Sequence, residues 1–162
     1  ASAFSVFANG GEMVEPTIIH DGKRRRTRRV FSAPTAALVT SMFRDAVVSG
    51  TGSRAEVAGY RVAGKTGTAE KPVPGGYSDT ANMASFAAVF PADSPDYVVL
   101  IVLDDPKDGV GRGRAAAWNA APTAGRVIER VAPMLGVEPK FERLNRDNNP
   151  MVRSVSERRS SL

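Results

Sequence analysis

The sequence contains no cysteine. That excludes disulfides, thiolate metal sites and a cysteine nucleophile. Histidine occurs once, at His20. A multi-histidine metal site is therefore excluded, and a serine–histidine–aspartate triad would have to use that residue. Acidic clusters with metal-ligand spacing are missing as well: Asp104 and Asp105 end a strand-like run with no third ligand nearby. No metal or cofactor is expected. Long apolar runs are absent; the longest, residues 98–103, falls far short of the ~18 residues of a membrane span. The first residues do not read as a secretory leader. If the protein works outside the cytoplasm, its targeting segment is expected outside this chain. Acid–base chemistry is left to Lys, Asp, Glu or Tyr.

What remains is ordinary globular material. The chain has 162 residues, 42% hydrophobic and 24% charged, enough for one domain with a core. The net charge of +5 is local: six of the seven residues 23–29 (KRRRTRR) are basic, and without them the rest carries −1. Such a run can bind nucleic acid or anionic lipid. It has no interleaved aromatics for base stacking, and a solvated turn explains it more simply.

Local patterns divide the chain. Phe4 and Phe7, followed by Asn9-Gly10-Gly11, read as the last turns of a helix and its stop. Residues 12–19 and 28–31 read as strands flanking the basic turn. Pro34 opens a helix with Val39, Met42, Phe43, Ala46 and Val47 on one stripe. The stretch Gly50-Thr51-Gly52-Ser53-Arg54-Ala55 matches a dinucleotide fingerprint, but it follows a helix rather than a strand and reads as a loop. Residues 60–69, 84–90 and 97–103 form an antiparallel meander, with a Pro/Gly loop at 71–80 and a turn at 91–96; the third strand reads as continuously buried. Residues 108–114 form a Gly/Arg loop. Val127, Ile128, Val131 and Leu135 mark the apolar face of a last helix, ended by Gly136. Residues 140–162 are polar and expected to be disordered.

One stretch carries chemistry: GKTGTAEKP, residues 64–72. Alternation along a strand puts Thr66 and Thr68 on one face and Lys65 on the other. Twist at the glycines can bring the lysine head towards the same cleft. Gly67 removes a side chain where another backbone could approach. Two hydroxyls and an ammonium suit a carboxylate, and a free strand edge accepts an extended peptide by β-augmentation. A short peptide ending in a carboxylate fits. So does an exposed Thr-rich strand with a solvated lysine, and these residues alone leave both readings open.

K-T-G is the third signature of penicillin-binding proteins and serine β-lactamases, beside S-x-x-K and S-x-N. GYRVAGKTGTAEK, MASFAAVFPADSPDYVVLIVLDDPK, AAPTAGRVIERVAPMLGV and the upstream FANGGEMVEPTII resemble class B penicillin-binding proteins, most closely the division-type transpeptidases of Gram-negative cell walls. The likeness runs from about Ala1 to Val137. A β-lactamase would share only the K-T-G.

The resemblance implies an α+β fold, a five-stranded antiparallel sheet flanked by helices, of which residues 1–139 would be the C-terminal part. It implies a peptidoglycan D,D-transpeptidase that crosslinks stem peptides through an acyl-serine and is acylated by β-lactams. Lys65 and Thr68 would be catalytic: Lys65 in proton transfer with the S-x-N serine, Thr68 through a backbone N–H of the oxyanion hole. Thr66, Gly67 and Thr68 would bind substrate, with the two hydroxyls on its carboxylate. Implied partners are the D-Ala-D-Ala stem peptide, β-lactams and division-complex membrane proteins, with no nucleic acid. The implied location is the periplasm, anchored to the inner membrane by a segment outside this chain. The alternative from another class is a non-enzymatic module binding nucleic acid or anionic lipid through residues 23–29. The chain departs from the family pattern in two ways. Neither S-x-x-K nor S-x-N occurs in it; Ser78-Asp79-Thr80 follows the K-T-G, in the wrong order. The loop 108–114 lacks the aromatics often found there. The chain alone is therefore expected to be inactive.

Overall fold

The computed structural model describes residues 1–23, 25–107 and 114–141. The sequence opens with helix α1 (Ser2–Ala8). The chain then turns at Gly11, which has φ +94°, and a Cβ there would stand 2.2 Å from the Phe31 carbonyl oxygen. Only glycine fits such an approach. It lets the Gly11 carbonyl accept hydrogen bonds from the Val30 and Phe31 amides. A small hairpin follows, β1 (Glu12–Val14) against β2 (Thr27–Arg29). Both strands are shorter than the pattern suggested; Pro16, which has no amide hydrogen for a ladder, follows β1 closely. Of the basic run, Lys23, Arg25 and Arg26 lie in the connection before β2 and Arg28 and Arg29 on β2, all exposed but the half-buried Arg25; Arg24 lies outside the described residues. Arg25 pairs with Asp21 at 2.6 Å and Arg29 with Glu12 at 2.7 Å.

Helix α2 (Ala33–Val48) starts where the Ser32 hydroxyl accepts the Thr35 amide and Pro34 fills the first turn, a standard N-terminus. Its buried residues are Ala36, Thr40 and Val47. The expected stripe is therefore rotated: Met42 is 56% exposed. Phe43 still works as an anchor. It stacks on Phe4 at 4.9 Å and meets Phe7 edge-on at 5.3 Å, while Phe7 stacks on Phe31 at 5.8 Å. This cluster fastens α1 to α2; each such pair is worth about 0.5–1.5 kcal/mol beyond its buried area.

A 3-10 turn (Ser53–Ala55) leads into an antiparallel sheet of β3 (Ala63–Val73), β4 (Gly76–Phe90) and β5 (Tyr97–Asp104), in that spatial order. The expected loop at 71–80 is mostly strand. β3 and β4 keep pairing past an irregularity between Glu70 and Pro72, and Pro72 and Val73 face Tyr77 and Gly76. The turn is confined to Pro74 and Gly75, where Gly75 has φ +90°.

Ala84, Phe86, Ala88 and Phe90 of β4 point to one face and are fully buried. Helix α3 (Ala120–Val131) covers them. Its inner face is Ala120, Ala121, Ala124, Gly125 and Ile128. Val127 and Leu135 lie outside, contrary to the expected stripe. Small residues are needed because α3 lies on the Ser53–Ala55 turn: a Cβ on Gly125 would stand 3.3 Å from Ala55 Cα. After a second 3-10 turn (Pro133–Leu135), Gly136 ends the segment with φ +74°. Lys140 then donates its amide to the Gly59 carbonyl and its ammonium to Asp93 at 2.8 Å. Of the expected tail, residues 142–162 lie outside the described residues.

The opposite face of the sheet is less covered. Val89 is buried there, but Leu100 is 43% and Val102 49% exposed, so β5 is not the continuously buried strand its composition suggested. The architecture is mixed helix and antiparallel sheet, as expected. Among the described residues, three strands form the main sheet and two the separate hairpin.

Candidate functional site

Lys65, Thr66, Gly67 and Thr68 lie on β3, an outer strand of the described sheet. Register assigns their faces. Lys65 is opposite Ala87 and Gly67 opposite Ser85; Thr66 is opposite the buried Phe86 and Thr68 opposite the buried Ala84. Cross-strand partners share a face. The two threonines therefore stand together on the α3 side and the lysine on the other, as alternation requires.

Each side chain has a specific neighbour. The Lys65 ammonium turns back on its own strand and donates to the Thr66 carbonyl at 3.2 Å. The Thr66 hydroxyl lies 2.7 Å from the Thr51 hydroxyl. The Thr68 hydroxyl accepts the Ala116 amide at 3.1 Å, tying the strand to the segment before α3. Ser85 donates to the Gly67 carbonyl at 3.3 Å, and a Cβ on Gly67 would stand 2.7 Å from that Ser85 oxygen. The space beside Gly67 is thus filled by the sheet's own serine.

Sequence reasoning missed Thr51, Ser85 and Ala116. Thr51 lies in the loop that resembled a nucleotide fingerprint, and its contact with Thr66 spans 15 residues. Nothing local announces it. Residues 108–113 of the Gly/Arg loop are outside the described residues. Arg114, at its end, lines a concavity of about 430 Å³ with Thr68, Glu70, Ser78, Asp79, Ala81 and Asn82. Ser78, Asp79 and Thr80 lie on β4, beside that strand, rather than in a loop. A separate concavity of about 470 Å³ is lined by Phe7, Thr40, Arg44, Arg61 and Asp93 among others, and shares no residue with the strand site.

Several charged residues near the site form ion pairs. Lys71 donates to Asp104 at 2.7 Å, and that hydrogen bond raises its pKa. Lys107 holds the Asp105 carboxyl below its ordinary range. Among the described residues, no three His, Asp or Glu side chains gather as a metal would require. Nor is any described helix long and apolar enough to cross a membrane.

Residues 1–129 match the family model "Penicillin binding protein transpeptidase domain". A "Probable peptidoglycan D,D-transpeptidase FtsI" of Caulobacter vibrioides is 44% identical over 93% of this chain and 28% of its own length. The transpeptidase domain of Burkholderia pseudomallei penicillin-binding protein 3, solved in its apo form, superposes with a TM-score of 0.76 at 33% identity, over 87% of this chain and 43% of that one. Penicillin-binding protein 3 of Mycobacterium tuberculosis, solved with aztreonam, gives a TM-score of 0.70 at 33% identity, over 86% of this chain and 35% of its own. The chain thus spans less than half of each of these proteins.

Proposed function

The chain belongs to the penicillin-binding protein transpeptidase family, and on that premise we propose that it is the substrate-strand part of a peptidoglycan D,D-transpeptidase. The observation that carries this reading is the arrangement of Gly64-Lys65-Thr66-Gly67-Thr68 on an outer strand, with both threonines on one face. A stem peptide ending in D-Ala-D-Ala lies antiparallel along β3. The Thr66 and Thr68 hydroxyls hold its terminal carboxylate, and the Thr51 hydroxyl orients Thr66. The Thr68 backbone N–H is one of two donors to the oxyanion, a contribution of a few kcal/mol to transition-state stabilisation. Lys65 swings off the Thr66 carbonyl to assist proton transfer.

The nucleophilic serine comes from a part of the protein outside these 162 residues. It attacks the peptide carbonyl, forms an acyl-serine with release of D-Ala, and passes the acyl group to an amine of a second strand. A β-lactam occupies the same strand through its own carboxylate. This function places the complete protein at the periplasmic side of the inner membrane, with division-complex membrane proteins as partners.

The test uses the complete protein and a β-lactam in acid and esterified form. Thr68→Val removes the hydroxyl and keeps the backbone donor. A hydrogen bond to a charged group is worth roughly 1.5–3 kcal/mol, so acylation by the acid falls about 10- to 150-fold, and acylation by the ester changes little. Thr68→Val also leaves the Ala116 amide without its acceptor, so the acid-to-ester ratio is the readout rather than either rate. Thr68→Ser restores the ratio. Lys65→Ala slows both ligands. Equal slowing of acid and ester in Thr68→Val would show that the hydroxyl does not read the carboxylate.

A further inference from the structure

Both hydroxyls of the substrate strand are held from outside the strand. Thr66 lies 2.7 Å from the Thr51 hydroxyl, and Thr68 accepts the Ala116 amide at 3.1 Å. An amide N–H can only donate, so the Thr68 oxygen accepts there and its own hydrogen stays free for a ligand. The two holders sit on short, hydrogen-bonded turns. Beside Thr51, the Gly52 amide donates to the Ala46 carbonyl and the Ala55 amide to the Gly52 carbonyl. Ala116 is buried, and its carbonyl accepts the Ala121 amide at the start of α3. Each turn carries one large side chain close to its holder: Arg54 three residues after Thr51, Trp118 two after Ala116. These two side chains meet. The Arg54 guanidinium carbon lies 3.9 Å from the centroid of the Trp118 ring. Trp118 is 45% exposed and Arg54 is exposed, so the stack is a surface contact between two turns and not a piece of the core.

We propose that Arg54 and Trp118 are positioning residues for the transpeptidase reaction. Their stack latches the turn that holds Thr66 to the turn that holds Thr68, and so fixes the spacing of the two hydroxyls that take the substrate's terminal carboxylate. This rests on the transpeptidase reading above. The latch acts through Thr51 and Ala116. A carboxylate gains both hydrogen bonds only when both donors stand within hydrogen-bond distance together. Donors fixed beforehand lose little freedom when the ligand arrives. A guanidinium over an indole is among the favourable cation–π pairs, and its flat stacking restrains orientation as well as distance. The Ser53–Ala55 turn also packs on α3, where Ala55 lies against Gly125. Loss of the latch therefore loosens the two turns relative to each other and leaves the fold in place.

The experiment measures acylation of the complete protein by the acid and ester forms of one β-lactam, with thermal unfolding recorded beside it. Arg54→Met keeps the apolar stem and removes the charge; Trp118→Leu removes the ring. Each lowers the acid-to-ester ratio of acylation constants roughly two- to fivefold, the worth of one exposed cation–π contact. A loss of folded protein lowers both constants alike and leaves that ratio where it was. The double variant falls no further than the larger single loss, because either change removes the same contact. Trp118→Phe keeps an aromatic face and stays nearer the wild-type ratio than Trp118→Leu. Wild-type ratios in both single variants, whatever their unfolding temperatures, would reduce the stack to a surface brace with no part in the reaction. Additive losses in the double variant, or equal losses in Trp118→Phe and Trp118→Leu, would also overturn the latch while leaving the transpeptidase intact. A wild type that penicillin does not acylate overturns the transpeptidase reading, and the latch with it.

Discussion

Gly64 and Gly67 are three residues apart on one strand, yet a methyl group at each meets different surroundings. At Gly64 a Cβ would stand 2.6 Å from Phe86 Cζ, 2.7 Å from the Ala87 carbonyl oxygen and 2.9 Å from Ala88 Cβ. Backbone and buried ring cannot both retreat. At Gly67 the only close atom among the described residues is the Ser85 hydroxyl, which can rotate away. Gly64→Ala should cost about 1–3 kcal/mol through overpacking. Gly67→Ala loses the Ser85 hydrogen bond, about 0.5–1.5 kcal/mol, but regains about 0.5–1 kcal/mol of backbone entropy. Its net effect on stability is near zero. Thermal unfolding of the complete protein checks this; equal destabilisation by the two changes would show that Ser85 is held as firmly as the core. With stability intact, any slowing of acylation in Gly67→Ala reports on the strand's surface as a substrate platform.

At the scale of elements, the chain after α3 is tied down by charge and backbone together. Lys140 bonds Gly59 through its amide and Asp93 through its ammonium. A Cβ on Gly59 would stand 2.8 Å from Pro139 Cβ, so glycine there lets the segment lie close. The hydrogen bond from Lys140 holds the Asp93 carboxyl below its ordinary pKa. A depressed carboxylate contributes its stability above the unfolded-state pKa, near 4, and loses it as pH falls through the folded-state value. The pair is partly exposed, so its worth is at most about 1 kcal/mol. Asp93→Asn should speed hydrogen exchange of the Lys140 amide roughly two- to fivefold at neutral pH. The difference between variant and wild type should shrink below about pH 4. A difference independent of pH would mean that packing around Gly59, not the ion pair, anchors the segment.

The whole molecule presents a sheet with two unequal faces. One is closed by α3. On the other, Met83, Leu100 and Val102 are each more than two-fifths exposed, and apolar faces of that kind favour association. The chain spans 43% of a solved transpeptidase domain. Two consequences can be measured on the isolated 162 residues. First, incubation with a fluorescent penicillin should give no stoichiometric adduct by intact mass, because no S-x-x-K serine is present. An adduct would place a nucleophile inside this chain. Second, the chain should self-associate at micromolar concentration in sedimentation. Leu100→Thr together with Val102→Thr should shift it towards monomer, while β-propensity is kept. Persistent oligomers in that variant would point to another surface.

The local patterns by themselves determined which residues stand where along each element. Strand alternation separates Lys65 from Thr66 and Thr68 whatever packs around them, because the period of two is a property of the backbone. The Ser32-Pro34 start of α2 and the Gly136 stop have the same local origin. Tertiary structure alone decided the partners. Thr51 reaches Thr66 across 15 residues, and Ala116 reaches Thr68 across 48. It also decided which face of each helix is inside. Hydrophobicity ranks Met42, Val127 and Leu135 above alanine, but the available gap ranks by size. α3 meets the Ser53–Ala55 turn so closely at Gly125 that even a methyl group there would press on the Arg54 and Ala55 backbone. The length of the β3–β4 hairpin was decided in the same way: Pro and Gly at 72–76 suggest a loop locally, and cross-strand pairing carries both strands almost to the turn.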